Sequence, residues 1–426
     1  MGLLDFLFKK KKPEIINYDS VIDSCWEIFR EGFKNPNPKT RRAVEESVLN
    51  IDSPDGKRFF SVGMQDPDID NKLFCLKKVY ERGGWRLAEN ILKIAYENEE
   101  NLSDDKRIEL ISFFSSFSDS DASDFMEVGL EDKNIEIRLA TIFSICGTKS
   151  SEKMKLIESH LEKSTDEFEK YACFMALWQF NNSQKKSELD NIIEKNINSF
   201  KHIEKLKYLE FSKSKQYIEK IIQNNNNEIK LLCIDMINDN RGIEFLKLLI
   251  KDTNSIVIKK AIEKVIEIGS RSALETIKSQ ESNSEVSEQV KLALAIFGDK
   301  ELIKKFEAKS KSSELDNENI ELINKIALFP EQNISEIINT FLSKMHKLDD
   351  LNEKEIYLLD KIVYMLIKYG KLSSISFLEK YINVSYLNTD DNEKIKIVCN
   401  SATAILCIIE RNTTYYTQRM KDQDNI

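Results

Sequence analysis

The sequence predicts an all-α fold, a superhelix of stacked antiparallel helix pairs. Three observations predict it. A turn–helix–Gly pattern recurs about every 30 residues, the mark of helical hairpins that bury their apolar faces only against neighbouring hairpins. Gly and Pro number 12 and 6 in 426 residues, well under average usage of about 7% and 5%, so few turns demand special backbone angles. Alternating apolar and polar runs of the kind strands need are scarce.

The clearest copy of the pattern spans 252–277. It opens on the polar turn Asp252-Thr253-Asn254, runs as a helix through Ile258-Lys259 and Ala261, stops at Gly269 and restarts at Ala273-Leu274. Ile258, Ala261, Ile262, Val265, Ile266 and Ile268 fall on one helical stripe, which a single hairpin cannot bury. A second copy carries Asp132, Ile137, Arg138, Ala140, Ile145 and Gly147; a third carries Ser284, Val290, Lys291, Ala293, Ile296 and Gly298.

Aligning the pair that opens each such helix gives anchors at Thr40-Arg41, Asp70-Asn71, Lys106-Arg107, Ile137-Arg138, Phe168-Glu169, Leu206-Lys207, Ile229-Lys230, Ile258-Lys259, Val290-Lys291, Ile320-Glu321, Ile356-Tyr357 and Ile395-Lys396. Most lie 29 to 39 residues apart, but those at 206 and 229 are separated by 23. The chain therefore divides into an apolar–basic segment with a capping helix (1–30), repeats (31–182), an irregular repeat or hinge (183–227), regular repeats (228–312), divergent C-terminal repeats (313–411) and a polar tail expected to be disordered (412–426). Ser103 reads as an N-cap ahead of Asp104-Asp105. Gly147, Gly269, Gly298 and Gly370 follow apolar helices where a left-handed residue is wanted. Pro36, Pro38, Pro67 and Pro330 fall in turns.

This pattern, with Ala-Leu opening the second helix, resembles the HEAT-repeat family, in particular its short type first named in phycobilin-lyase-like proteins. Ile137, Arg138, Ala140 and Gly147, then Ile258, Lys259, Ala261, Gly269, Ala273 and Leu274, then Val290, Lys291, Ala293 and Gly298 carry the resemblance. It implies an α-solenoid of the armadillo/HEAT type. Lysine mostly replaces the family's arginine, which implies a weaker pairing of that arginine with an aspartate. The family spans scaffolds, transport receptors, lyases and a DNA glycosylase branch, so fold transfers and activity does not.

Charge marks the candidate surfaces. The 63 Lys and Arg against 72 Asp and Glu give a net of −9. That disfavours a general nucleic-acid binder, which needs a basic face to release counterions. From Glu97 to Asp132 twelve acids face only Lys106 and Arg107, so one region holds the whole acidic excess. Asp104, Asp105, Asp119, Asp121, Asp124, Glu127, Glu131 and Asp132 form a candidate docking face for another protein, one of basic character. The plainer account is a solvated face plus first-turn acids that suit the helix dipole. Near the start, Leu3, Leu4, Phe6, Leu7 and Phe8 precede Lys9, Lys10, Lys11 and Lys12, a pattern suited to peripheral contact with an anionic membrane or to a partner. The alternative is a cap on the first repeat. Its order reverses that of a signal peptide, and Phe6 stands where myristoylation needs Ser or Thr. No apolar run reaches the ~18 residues of a membrane span.

Other signals are fainter. Lys201, Lys205, Lys207, Lys213 and Lys215, against Glu204 and Glu210, interleave with Phe200, Tyr208 and Phe211; a nucleic-acid strip is one reading, helix amphipathicity the other. Trp85, between Gly84 and Arg86, is a stacking platform or a core filler, and Trp26 and Trp178 lie in amphipathic helices. Asp66, Asp68 and Asp70 match the opening of an EF-hand loop, but Asn71 and Lys77 stand where Gly and Glu are required. His160, His202 and His346 share no metal spacing. There is no P-loop, Gly-x-Gly-x-x-Gly or Gly-x-Ser-x-Gly. The seven cysteines form no Cys-x-x-Cys pair and read as buried thiols in a reducing compartment.

The expectation is a non-enzymatic cytoplasmic adaptor with no metal or cofactor. It would bind another protein along the helices at 137–147, 168–180, 229–237, 258–268 and 290–297. The alternatives are a HEAT-like DNA glycosylase or nucleic-acid-binding protein, and a lyase or assembly factor for a cofactor-bearing partner.

Overall fold

The computed structural model describes residues 18–84, 87–98, 102–114, 123–146, 151–223, 226–297, 304 and 334–412. Leu3 to Lys12, Trp85, Asp119, Asp121, Gly147, Gly298, the Ile320-Glu321 anchor, Pro330 and the tail beyond Asn412 lie outside the described residues. Within them the chain is all helical and contains no strand. It forms two compact units. One joins residues 1–75 to 307–426, and the other is continuous from 76 to 306.

In the continuous unit, helices alternate between two layers. Asp104–Phe114 packs on Ile135–Cys146, which packs on Glu167–Gln179; farther along, Asn227–Met236 packs on Ser255–Ile268, and that on Ser287–Ile296. Between these in sequence come Ser123–Leu130, Ser151–Lys163, Lys186–Lys195, Phe211–Ile222, Ile243–Leu249 and Leu274–Lys278, each packed on a helix of the first layer. First-layer helices are buried on most of their circumference, as Ile137, Leu139, Ile142, Phe143, Ile145 and Cys146 illustrate. A helix apolar nearly all round needs neighbours on several sides, and stacking supplies them.

The hairpin turns share one design. An Asx residue accepts a backbone N–H two positions on, from Asn37 to Asn35 (2.9 Å), Asp68 to Asp66 (2.7 Å), Asn134 to Asp132 (2.8 Å) and Asn254 to Asp252 (2.9 Å). The second Asx then caps the following helix, as Asn254 does for the amides of Ile256 and Val257. Short polar side chains favour both roles because they reach nearby backbone donors. Asp66 is thus a turn residue, Asp68 the cap that accepts the amides of Asp70 and Asn71, and Asp70 a first-turn acid of the helix. Ser103 caps through the Lys106 amide (3.3 Å).

A cation from one hairpin reaches the acid of the next turn. Arg41 grips Asp66 through Nε at 2.7 Å and Nη2 at 2.9 Å, both side chains being almost fully buried. Arg107 donates to Asp132, and Lys230 to Asp252 at 2.7 Å. Arg138 donates to Glu169 at 2.5 Å. Arg41 and Arg138 also bind back to the carbonyls of their own turns, Asn35 and Pro36 in one case, Asp132 and Lys133 in the other. At Lys230 the place of the arginine is taken by lysine, and a single ammonium contact to Asp252 stands where Arg41 makes two.

Gly269 ends its helix at φ 72°, the left-handed conformation expected of it. Gly370 does not: its φ is −62° and ψ 148°. Glycine is required there for a different reason, since a Cβ would collide with the Ile408 side chain and the Leu366 carbonyl. Asn181, with φ 68°, closes the Glu167–Gln179 helix in the left-handed role. Asn is the commonest substitute for Gly at that place.

The discontinuous unit brings the two ends of the chain into one core. Asp19–Lys34 and Pro38–Val48 both pack on Asn392–Asn412, which also packs on Glu353–Tyr369. Ser47 Oγ meets Asn400 Oδ1 at 2.9 Å, and Asn35 Nδ2 donates to the Leu387 carbonyl at 2.9 Å. The Asn392–Asn412 helix is buried almost throughout, from Ile395 to Ile409. Among the described residues, no helix is long and apolar enough to cross a membrane. The seven cysteines are unpaired and buried.

One buried group here is out of balance. Glu45 is inaccessible to solvent, and neither carboxylate oxygen makes a hydrogen bond of good geometry. Burial, reinforced by the nearby charge of Asp66, pushes its carboxyl up to about 8. A raised carboxyl means the folded state binds the proton more tightly, so stability falls as pH rises from the unfolded value of ~4.3 to about 8. Glu45→Gln should remove that slope and raise Tm at pH 8 by on the order of several degrees; thermal melts from pH 5 to 9 with unchanged slope would contradict this. The Arg41 pair has the opposite sign. Burial raises the Asp66 carboxyl, but Arg41 and the Asp68 amide outweigh it and hold it below its ordinary value. Its stabilisation is complete above pH ~4 and is lost as pH falls through the folded value. Arg41→Ala strands a buried carboxylate and should cost roughly 3–5 kcal/mol in urea unfolding at neutral pH.

Candidate functional site, a basic and aromatic cleft

The first layer is interrupted after Glu167–Gln179. Where the next full helix would stand, the chain makes only Phe200–Ile203 and a 3-10 turn, Glu204–Tyr208. The anchor spacing of 23 marks this shortened repeat. A 3-10 turn has poorer hydrogen-bond geometry and stays short, so the element leaves space unfilled. That space is an open cleft of about 490 Å³. Its walls are Ile108 and Ser112, then Glu136, Leu139, Ala140, Phe143 and Ser144, then Phe168, and finally Lys201, Lys205, Lys207 and Tyr208.

Aromatic rings hold the cations. Lys201 Nζ lies 3.9 Å from the centre of the Phe168 ring, Lys207 Nζ 5.4 Å from Tyr208 and Lys205 Nζ 5.8 Å from Phe143. Phe143 and Tyr208 stack with centres 4.8 Å apart and planes at 15°. Phe143 is buried, whereas Tyr208 remains 38% exposed. Each ammonium–ring contact is worth about 0.5–1 kcal/mol at an exposed site, enough to bias where a flexible lysine points. Glu204 accepts from Lys207 at 3.0 Å and Lys205 at 3.4 Å. Burial raises its carboxyl, but these lysines outweigh burial and hold it below its ordinary value.

The short segment is anchored from below. Tyr171 Oη donates to the His202 carbonyl at 2.6 Å, and Ser199 Oγ pairs with His202 Nδ1 at 2.8 Å. The His202 ring sits edge-on against Phe168 at 5.0 Å. Burial, helped by Lys201, pushes the imidazole below its ordinary value, so His202 is neutral at pH 7 and adds no charge to the cleft.

The structure sorts the remaining sequence candidates. Of the five lysines, Lys213 donates to the Trp178 and Gln179 carbonyls and closes a helix end, while Lys215 faces Glu219 at 4.0 Å. Phe211 turns to Phe245, and Phe200 is exposed outside the cleft wall. Several of the described acidic residues lie together, and some of them are engaged in internal pairs. Asp132 is taken by Arg107, and Asp104 by Arg107 and Asn134. Glu127, Glu131 and Asp132 line a second hollow of about 360 Å³, together with Arg138, Lys163 and His160. Asp105 is exposed on the helix of Asp104, and Asp124 on that of Glu127. His160 Nε2 lies 3.3 Å from Glu169, Trp26 stacks on Phe59 at 5.1 Å, and no cluster of three metal-binding side chains exists among the described residues. Sequence reasoning placed Leu139, Phe143 and Phe168 on partner-contact helices without singling out their side chains, and missed Ile108, at an apolar helix position that looks like core.

Compared with known proteins, the chain matches no family model and no curated relative. Tyr171→Phe should loosen the cleft floor at a cost of about 0.5–1.5 kcal/mol. The check is urea unfolding together with faster amide exchange at residues 200–208, and an unchanged exchange pattern would contradict the anchoring role.

Proposed function

We propose that the chain is a non-enzymatic α-solenoid scaffold of HEAT-like repeats that docks another protein in the cleft bounded by Lys201, Lys207 and Tyr208. The alternating two-layer packing and the cation bridging successive turns support the repeat reading. One observation carries the docking assignment. An open groove presents three ammonium groups, each held by an aromatic ring, beside apolar walls. Such a mixture of anchored charge and rigid aromatic surface is what interfaces concentrate at their centres. Part of the wall comes from the helices at 135–146 and 167–179, which overlap the segments the sequence singles out for partner contact. The acidic residues at 104–132 become a secondary influence in this reading, since several already serve internal pairs.

The single-stranded nucleic-acid reading draws on the same lysines and Tyr208; the net charge of −9 weighs against it. Affinity capture with the full chain, beside a Lys201→Glu, Lys207→Glu double variant and a Tyr208→Ala variant, separates them. A discrete protein recovered by the native chain and lost from both variants is expected. Recovery of nuclease-sensitive material instead would favour nucleic acid, and capture indifferent to both variants would remove the cleft from the proposal.

A further inference from the structure

Resting on that reading, we propose that the cleft selects an extended acidic peptide segment of its partner, one whose carboxylates alternate with apolar side chains. Charge complementarity argues for it. Lys201 is positioned by Phe168 and lies beyond the carboxylates that engage its neighbours, since Glu204 bonds Lys205 and Lys207. Among the described residues, Glu136 is the one carboxylate of the wall. These residues thus offer three cations against one wall acid and one neighbouring acid, a modest local excess. It suits a ligand bearing a few charges in register. A polyanionic strand brings many more charges than the three cleft lysines can pair. The wall between the cations is apolar, formed by Ile108, Leu139 and Ala140 with the stacked Phe143 and Tyr208. An extended peptide places alternate side chains on opposite sides, so carboxylates can face the lysines while apolar groups enter the groove.

Glu204 then acts as an internal competitor. A ligand carboxylate must draw Lys205 and Lys207 away from it, so its negative charge sets the affinity of the empty cleft. This role distinguishes the proposal from simple surface attraction, because removing an acid 3.0 Å from Lys207 should tighten binding while leaving the fold unchanged.

Fluorescence polarisation on the full chain tests this with a labelled peptide of alternating Glu and Leu around a central Phe, its Gln counterpart, and an oligothymidylate of like length. The Glu peptide should bind, and the Gln peptide should bind at least roughly tenfold more weakly. Lys201→Ala should weaken the Glu peptide roughly three- to tenfold, and Glu204→Gln should tighten it about threefold. Tighter binding of the oligothymidylate, or affinity for the Glu peptide unmoved by both variants, would overturn the proposal. Equal binding of Glu and Gln peptides that is lost in Tyr208→Ala would overturn the acidic preference alone and leave the cleft as a protein-docking site. Failure of all three probes, with a captured partner still dependent on Tyr208, would have the same meaning.

Discussion

The pairing of a helix cation with the acid of the following turn is the constraint on which the rest of this architecture depends. Arg41 with Asp66, Arg107 with Asp132 and Lys230 with Asp252 repeat one geometry. Each acid is already committed to its own turn through a backbone amide two residues on. The cation therefore does more than neutralise a charge: it ties a turn whose shape is fixed by local hydrogen bonds to the helix that precedes it. Apolar stacking alone would hold two helix layers together while allowing them to slide, because the hydrophobic effect is not directional. The buried, two-pronged guanidinium–carboxylate contact of Arg41 with Asp66 is directional, and it fixes the spacing of that turn on its helix.

The helices on either side of the short 200–208 segment are held in register by their turns, so the shortened element cannot be compensated by neighbours closing in. Tyr171 and His202 pin the segment where it lies, and the unfilled volume becomes a groove with aromatic walls. Lysines at its rim then rest on those rings. The cleft lies where a short helical turn and a 3-10 turn stand between two longer helices.

The discontinuous unit follows a different logic. The first hairpin and the Asn392–Asn412 helix bury apolar surface by packing on each other. Within that hairpin a Cβ at Gly32 would collide with Val44, and beside the long helix a Cβ at Gly370 would collide with Ile408. Glu45 is enclosed in the same unit without a hydrogen-bond partner of good geometry, a group whose ionisation the fold opposes.

The helical class, the hairpin period, the Asx caps and the irregularity near 206–229 were all legible in the sequence, because each arises from residues within a turn or two of one another. The role of Gly269 was legible for the same reason, and the misreading of Gly370 shows the limit: its backbone is ordinary, and only the distant Ile408 explains it. Lys201, Lys205 and Lys207 were visible as a basic run, yet their significance was not, because Phe143 and Phe168 lie some tens of residues earlier in positions that look like core. The acidic run at 97–132 was visible as charge, but that Arg107 bridges Asp104 and Asp132 was not. Local hydrogen bonding and periodicity are encoded in neighbouring residues, so the sequence by itself determined the helices and their caps. Which faces remain open, which charges stay unpaired and which chain ends meet depend on groups brought together from far along the chain, and only the tertiary structure decided them.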